Sequence, residues 1–320
     1  MHILPVSTFL PGLIGLALMV FAVSAAPTYP PKMKGATVET YKKTPQGELK
    51  VWIFQPDKTI HKGPRPAVVF FFGGGWRSGS PMQFQQHCKH LAERGFVAMT
   101  ADYRVFSRHK TTADACVEDA KSAVRWIREH AKRLEVDPKR VAAGGGSAGG
   151  HLAACTGTVK GFEGKKEKHD ISSVPNAMVL FNPACVLAPV EGMPFLDEKK
   201  MGDLKKQMGV DPIGLSPFHH VTKGAPPTLI FHGRADVTVP YMTSEKFAEA
   251  MTVAGNDCRL IGFDDMPHGF FNHGRYENRP YLKTIMEMDA FFRELSWIEK
   301  KAVAKDEKPA QDKVVEKVPM

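Results

Sequence analysis

Val141-Ala-Ala-Gly-Gly-Gly-Ser147-Ala-Gly-Gly-His151 places a serine between a short apolar run and a stretch that reads as a helix from about Ala148. Within it, Gly145-Gly-Ser147-Ala-Gly149 matches G-x-S-x-G. The pattern has a physical reason. A serine in a sharp strand-to-helix turn holds strained backbone angles, and small residues on both sides let neighbouring backbone pass close. The turn exposes Oγ and sets it beside the N–H groups of a helix N-terminus, where negative charge is favoured. The same residues contain Gly144-x-Gly146-x-x-Gly149, which fits a dinucleotide fingerprint. That fingerprint needs an acid at the end of the next strand. Here the next strand, Ala177 to Phe181, ends in Asn182-Pro183, and Asp170 falls in a polar loop before it. The nucleophile reading is therefore preferred.

On either side of this turn, strands and helices alternate. Residues 36–43 and 48–55 read as two strands joined at Pro45-Gln46-Gly47. Ala67 to Phe72 and Phe96 to Ala101 are continuous apolar runs, as expected of strands buried on both faces. Pro81 to Arg94 reads as a helix stopped by Gly95, and Thr112 to Leu134 as one long helix with Ala115, Ala123, Ile127 and Leu134 on its apolar face. Further strands are expected at Val141–Ala143, Leu229–Phe231 and Arg259–Phe263, and helices at Ser244–Ala254 and Tyr281–Leu295. This order predicts an α/β fold, a mostly parallel sheet with helices on both faces, over residues 30–298. Residues 184–224 are Pro/Gly-rich and are expected to be irregular, forming a short lid, and residues 299–320 a disordered charged tail.

A serine nucleophile needs a base, and the base needs an orienting acid. Asp236 lies in the loop after the strand that carries Phe231-His232-Gly233. His268, flanked by Pro267 and Gly269, lies in the loop after the last strand. Asp264 and Asp265 are the alternative acids, but both sit very near His268 in sequence. For a tetrahedral oxyanion, Gly73-Gly74-Gly75 directly follows an apolar strand; the N–H groups of Gly74, Gly75 and Ala148 are the candidate donors. Trp76 and Phe270 are candidate substrate-binding residues. Asp102 is read as structural, pairing with Arg104 or a neighbouring loop, and His151 likewise as structural. His87-Cys88-x-His90 and His219-His220 lack a full ligand set at zinc spacing, so no metal or cofactor is expected.

These segments together resemble a known group. Phe72-Gly-Gly-Gly-Trp76, Asp102-Tyr-Arg104, Asp137-Pro-x-Arg140-Val141, Gly145-Gly-Ser-Ala-Gly-Gly-His151, His232-Gly-x-x-Asp236 with Val239-Pro240, and His268-Gly-Phe-Phe271 are similar to the acetyl esterase/lipase group of α/β-hydrolases. That group includes hormone-sensitive-lipase-like carboxylesterases and bifunctional feruloyl and acetyl-xylan esterases. The order Ser147…Asp236…His268 is that of α/β-hydrolases. The resemblance implies a serine carboxylester hydrolase with those three residues as its triad. It departs from the group at Phe72, where His-Gly-Gly-Gly is usual.

Composition narrows the partners. The chain has 320 residues, 43% hydrophobic and 24% charged, which excludes disorder over most of its length. The formal charge is +9, but its lysines are scattered with no arginine-rich stripe, so no nucleic-acid partner is expected. Residues 1–26 carry no Asp, Glu, Lys or Arg, are mostly apolar, and contain the small-x-small pattern Val23-Ser-Ala25. They read as a signal peptide over residues 1–25, hence an exported protein, with an uncleaved membrane anchor as the alternative. Five cysteines, an odd number, leave at least one thiol free and room for one disulfide. By analogy with the group, an exported member acts on short-acyl esters and deacetylates polysaccharide; feruloyl and small lipid esters, and a prolyl-oligopeptidase-like peptidase, are the alternatives.

Overall fold

The computed structural model describes residues 29–194 and 197–298. The signal peptide and the charged tail expected from sequence lie outside the described residues. In chain order the elements are β1 (Thr37–Thr44), β2 (Gly47–Phe54), β3 (Arg65–Phe71), α1 (Gln85–Glu93), β4 (Val97–Ala101), α2 (Phe106–His109), α3 (Ala113–Glu129), α4 (Ala131–Leu134), β5 (Val136–Gly146) and α5 (Ala148–Thr158). There follow β6 (Ala177–Phe181), α6 (Glu198–Met208), β7 (Thr228–Gly233), α7 (Tyr241–Val253), β8 (Cys258–Phe263) and α8 (Arg279–Glu294). Among the described residues, eight strands form one sheet in the order β1-β2-β4-β3-β5-β6-β7-β8. β1 and β2 pair antiparallel, as do β2 and β4; every other pair is parallel.

The apolar runs are buried because both sheet faces are covered. Along β3, Ala67, Val69 and Phe71 point into the core shared with α3 and α5. Val68 and Phe70 point into the opposite core, shared with α1 and α8. This is the period of two that a strand imposes. Because β3 to β8 run parallel, the loops leaving their carboxyl ends gather on one edge, the usual place for a site in an open α/β sheet.

Several elements differ from the sequence-based expectation: the first turn of the expected 81–94 helix is a 3-10 turn, α2 was not expected, and three further differences are larger. β5 spans Val136–Gly146 rather than three residues, because its polar first half pairs with Arg65 at the start of β3. The expected 112–134 helix breaks at His130, whose φ/ψ of −101/13 leaves the helix, and α4 adds one further turn. Its apolar face runs through Cys116, Ala120, Ala123 and Ile127; Ala115 is only half-buried. Residues 184–224 are more ordered than expected. They contain α6, capped by Asp197 and ended by Gly209 at φ 79, and two 3-10 turns, and Cys185 and Leu187 enter the core. No helix among the described residues is long and apolar enough to cross a membrane.

Candidate active site

Ser147 sits in the turn between β5 and α5 with φ/ψ of 54/−120. A non-glycine residue in that region carries roughly 1–3 kcal/mol of strain. The turn is held because the Ser147 N–H donates to Phe181 O at 2.8 Å and Ser147 O accepts from the His151 N–H at 2.9 Å. The flanking glycines are required by close approach: a Cβ on Gly149 would overlap the Phe71 carbonyl, and one on Gly145 the Gly149 carbonyl.

The loops after β7 and β8 bring two partners to this serine. His268 Nε2 lies 2.9 Å from Ser147 Oγ. His268 Nδ1 lies 2.7 Å from Asp236 Oδ2. The ionised carboxylate can only accept, so Nδ1 carries the proton, and Nε2 is left to accept from the serine hydroxyl. Asp236 is itself anchored. Its Oδ1 accepts from the Thr238 and Val239 N–H groups at 2.9 Å each. Its Oδ2 also lies 3.2 Å from His232 Nε2. Burial alone would raise its pKa, but hydrogen bonds from His232, His268 and the Val239 N–H outweigh it and hold the carboxyl well below the usual carboxylate range. The alternative acid, Asp264, is exposed and pairs with Arg234 at 2.9 Å.

The glycine loop after β3 lies directly against this turn. A Cβ on Gly73 would stand 3.3 Å from Ser147 Cβ. Gly74 and Gly75 adopt φ of 130 and 59, and a Cβ on Gly74 would overlap the Ser78 carbonyl. The Gly73 N–H is committed to Gln83 Oε1 at 2.7 Å. Among the described residues, the N–H groups of Gly74, Gly75 and Ala148 donate to no other protein group. Ala148 is the first residue of α5, where the helix has no partner for it.

The remaining sequence candidates divide. Phe270 is a correction: it is fully buried, packed on Phe263 at 4.6 Å between ring centroids, in the core beneath α8. An aromatic next to a catalytic-type loop is read as pocket-lining from sequence, but here Phe270 and its neighbour Phe271 both pack inward into the same core. Trp76 is mostly buried and donates from Nε1 to His151 Nδ1 at 3.1 Å. It also lines a cleft of about 430 Å³ with Arg77, Phe106, Thr112, Lys206 and Gln207, and neither Ser147 nor His268 is in that lining. Since His151 Nδ1 accepts, Nε2 carries the proton and donates to Leu215 O at 2.7 Å; burial pushes the ring's pKa down to about 4, so it stays neutral. Asp102 pairs with Arg108 at 2.6 Å, while Arg104 turns to Asp119 at 2.8 Å.

Sequence reasoning passed over several supporting groups. His232 donates to Val239 O and receives Ser244 Oγ on Nδ1. Asn182 Oδ1 accepts the Gly269 N–H at 3.1 Å. Gln207 Nε2 donates to Gly75 O at 2.6 Å, fastening α6 to the glycine loop. Gln83 donates to Asn272, which donates to Gly269 O. For His232 and Asn182 a signal existed, since His232 is the penultimate residue of β7 and Asn182 directly follows β6. For Gln83 and Gln207 there was none, because their partners are far away in sequence.

A serine, histidine and aspartate in this relay, on a mostly parallel sheet with the serine in a strained strand-to-helix turn, define an α/β-hydrolase. A match to the BD-FAE family model covers residues 53–251, and the chain belongs to that family. Among solved structures it resembles an esterase, Est2, of Thermogutta terrifontis, with 49% identity, a TM-score of 0.82, and coverage of 86% of this chain and 98% of that one. A propionate-bound form of the same esterase gives 50% identity and a TM-score of 0.81 over 86% of this chain and 99% of that one. Among curated relatives, esterase LipC of Mycobacterium tuberculosis is 27% identical over 72% of this chain and 58% of its own length. The chain spans about half the length of the first curated relatives it matches. These relatives are named as esterases, in keeping with the expected class of carboxylic ester hydrolase.

Proposed function

We propose that the chain is an exported serine carboxylester hydrolase of short-acyl esters. The observation that carries the reading is the unbroken relay Ser147 Oγ, His268 Nε2, His268 Nδ1, Asp236 Oδ2 at 2.9 and 2.7 Å. His268 takes the serine proton as Oγ bonds to the ester carbonyl carbon. The carbonyl oxygen becomes an oxyanion facing the N–H groups of Gly74, Gly75 and Ala148, each worth on the order of 10²–10³ in rate. Collapse breaks the bond to the alcohol, which leaves with the proton from His268. A water then gives its proton to His268 and attacks the acyl carbon; the acid departs and the proton returns to Ser147 Oγ. Asp236 holds the tautomer and stabilises the imidazolium throughout.

Support for a short acyl group comes from the Thermogutta terrifontis esterase, whose propionate-bound form is so similar to this chain. Export rests on the uncharged apolar residues 1–26. The natural substrate we favour is an acetylated polysaccharide. The test is acetate release from acetylated xylo-oligosaccharides by wild type and Ser147→Ala. Release that falls by about 10⁴-fold or more in the variant is expected. Folded wild type that releases no acetate, yet cleaves feruloyl or small lipid esters, overturns the polysaccharide assignment and keeps the nucleophile; release undiminished in Ser147→Ala overturns the mechanism.

A further inference from the structure

The oxyanion loop and the base loop come from opposite ends of the chain, yet one catalytic step needs both in register. Gly73-Gly74-Gly75 has the freest backbone available, so something must hold it. The side chain that opens the loop does not: Phe72 is fully buried and stacked on Tyr103 at 4.2 Å. Gly74 O is held by the Arg77 and Ser78 N–H groups and Gly75 O by Gln207, while the hold on Gly73 that faces the base loop comes from Gln83. Its Oε1 accepts the Gly73 N–H at 2.7 Å, and its Nε2 donates to Asn272 Oδ1 at 2.9 Å. Asn272 Nδ2 then donates to Gly269 O at 2.8 Å, on the residue after His268. The Gly269 N–H is fixed in turn by Asn182 Oδ1 at 3.1 Å.

The chain of bonds has a direction. It begins at an obligate donor, the Gly73 N–H, and ends at an obligate acceptor, the Gly269 carbonyl. Each amide between them satisfies both neighbours in one orientation only. Two carboxylates, which only accept, would break it.

We propose that Gln83 and Asn272 act as one positioning unit that sets the oxyanion loop against the His268 loop. Neither touches the reacting atoms; both act through the backbone that presents them. The inference rests on the serine-esterase reading of the site. Misplacement of such groups by about 1 Å costs on the order of 10²-fold in rate.

The experiment measures turnover of p-nitrophenyl acetate and the rate of Ser147 labelling by a fluorophosphonate, for wild type, Gln83→Leu, Asn272→Leu and the double variant. Thermal melts show which variants are folded. The expected result is a kcat lower by about 10- to 100-fold in each single variant, with KM within about threefold and labelling slowed in parallel. Because the two act as one, the double variant should be no slower than the slower single. Gln83→Glu supplies a second readout if the leucine variants fail to fold. Its carboxylate breaks the chain, but its protonated form can accept and donate, so its kcat relative to wild type should rise as pH falls from about 8 to about 5. Unchanged kcat and labelling, losses that multiply in the double variant, or a Gln83→Glu ratio independent of pH would overturn the proposal. Wild type that is labelled at Ser147 but hydrolyses no ester would instead overturn the functional reading, and the labelling rates would still judge the positioning unit.

Discussion

Asp236 shows how much a single residue carries. It sits in the loop just past the end of β7, buried, accepting two backbone N–H groups and facing two imidazoles. Burial works against its charge and the donors work for it, and the donors win. Its folded pKa is therefore depressed below the ordinary aspartate value of about 3.9. A depressed carboxylate stabilises the fold fully above that unfolded value, and the contribution is lost as pH falls through the folded one. Asp236→Asn should therefore lower kcat by about 10⁴-fold while its stability deficit narrows in acid. Urea midpoints of wild type and variant at pH 7 and near pH 3 check this; a gap that widens in acid would show that the carboxylate is not the stabilising form.

At the scale of elements, the loop after β8 does two jobs with adjacent residues. His268 points to the site, while Phe270 and Phe271 turn into the core under α8. Gly146 is glycine for the same reason, since a Cβ there would stand 2.5 Å from the Phe271 ring. Packing beneath the Ser147 turn is thus supplied by the same loop that carries His268. Phe270→Ala should cost about 3–5 kcal/mol of stability, as for other buried aromatics, and leave KM unmoved. A raised KM with unchanged melting temperature would restore it as a substrate contact. α6 belongs to this scale too. It is exposed along most of its length, yet Gln207 at its end fastens it to the carbonyl of Gly75.

For the whole molecule, stability comes from two cores on one sheet rather than from covalent links. All five cysteines are unbridged, four of them buried, so the disulfide that export would permit is not formed. Burial raises the thiol pKa of Cys258 to about 12 and pushes those of the other four up as well, which keeps them protonated and unreactive. Excess dithiothreitol should therefore leave the melting temperature unchanged; a drop would reveal a covalent link between cysteines. Charge is also internal in part: Arg104 and Lys42 both meet the fully buried Asp119, at 2.8 Å each, and tie α3 to the strand edge.

Much of this was legible in the linear chain because the signals are local. Apolar runs of strand length, glycines at a serine turn, and an acid and a histidine placed just past strand ends each depend on a few neighbouring residues. They are sufficient for the alternation of elements and for Ser147, Asp236 and His268. What the chain alone left open depends on which distant residues meet. The strand order, the partner of Asp102, the inward turn of Phe270 and the Gln83–Asn272 link each depend on contacts between remote segments. Gln83 and Asn272 are 189 positions apart, and their bond exists only because a parallel sheet delivers both loops to the same edge. Side-chain chemistry is written locally; register between remote loops is a property of packing.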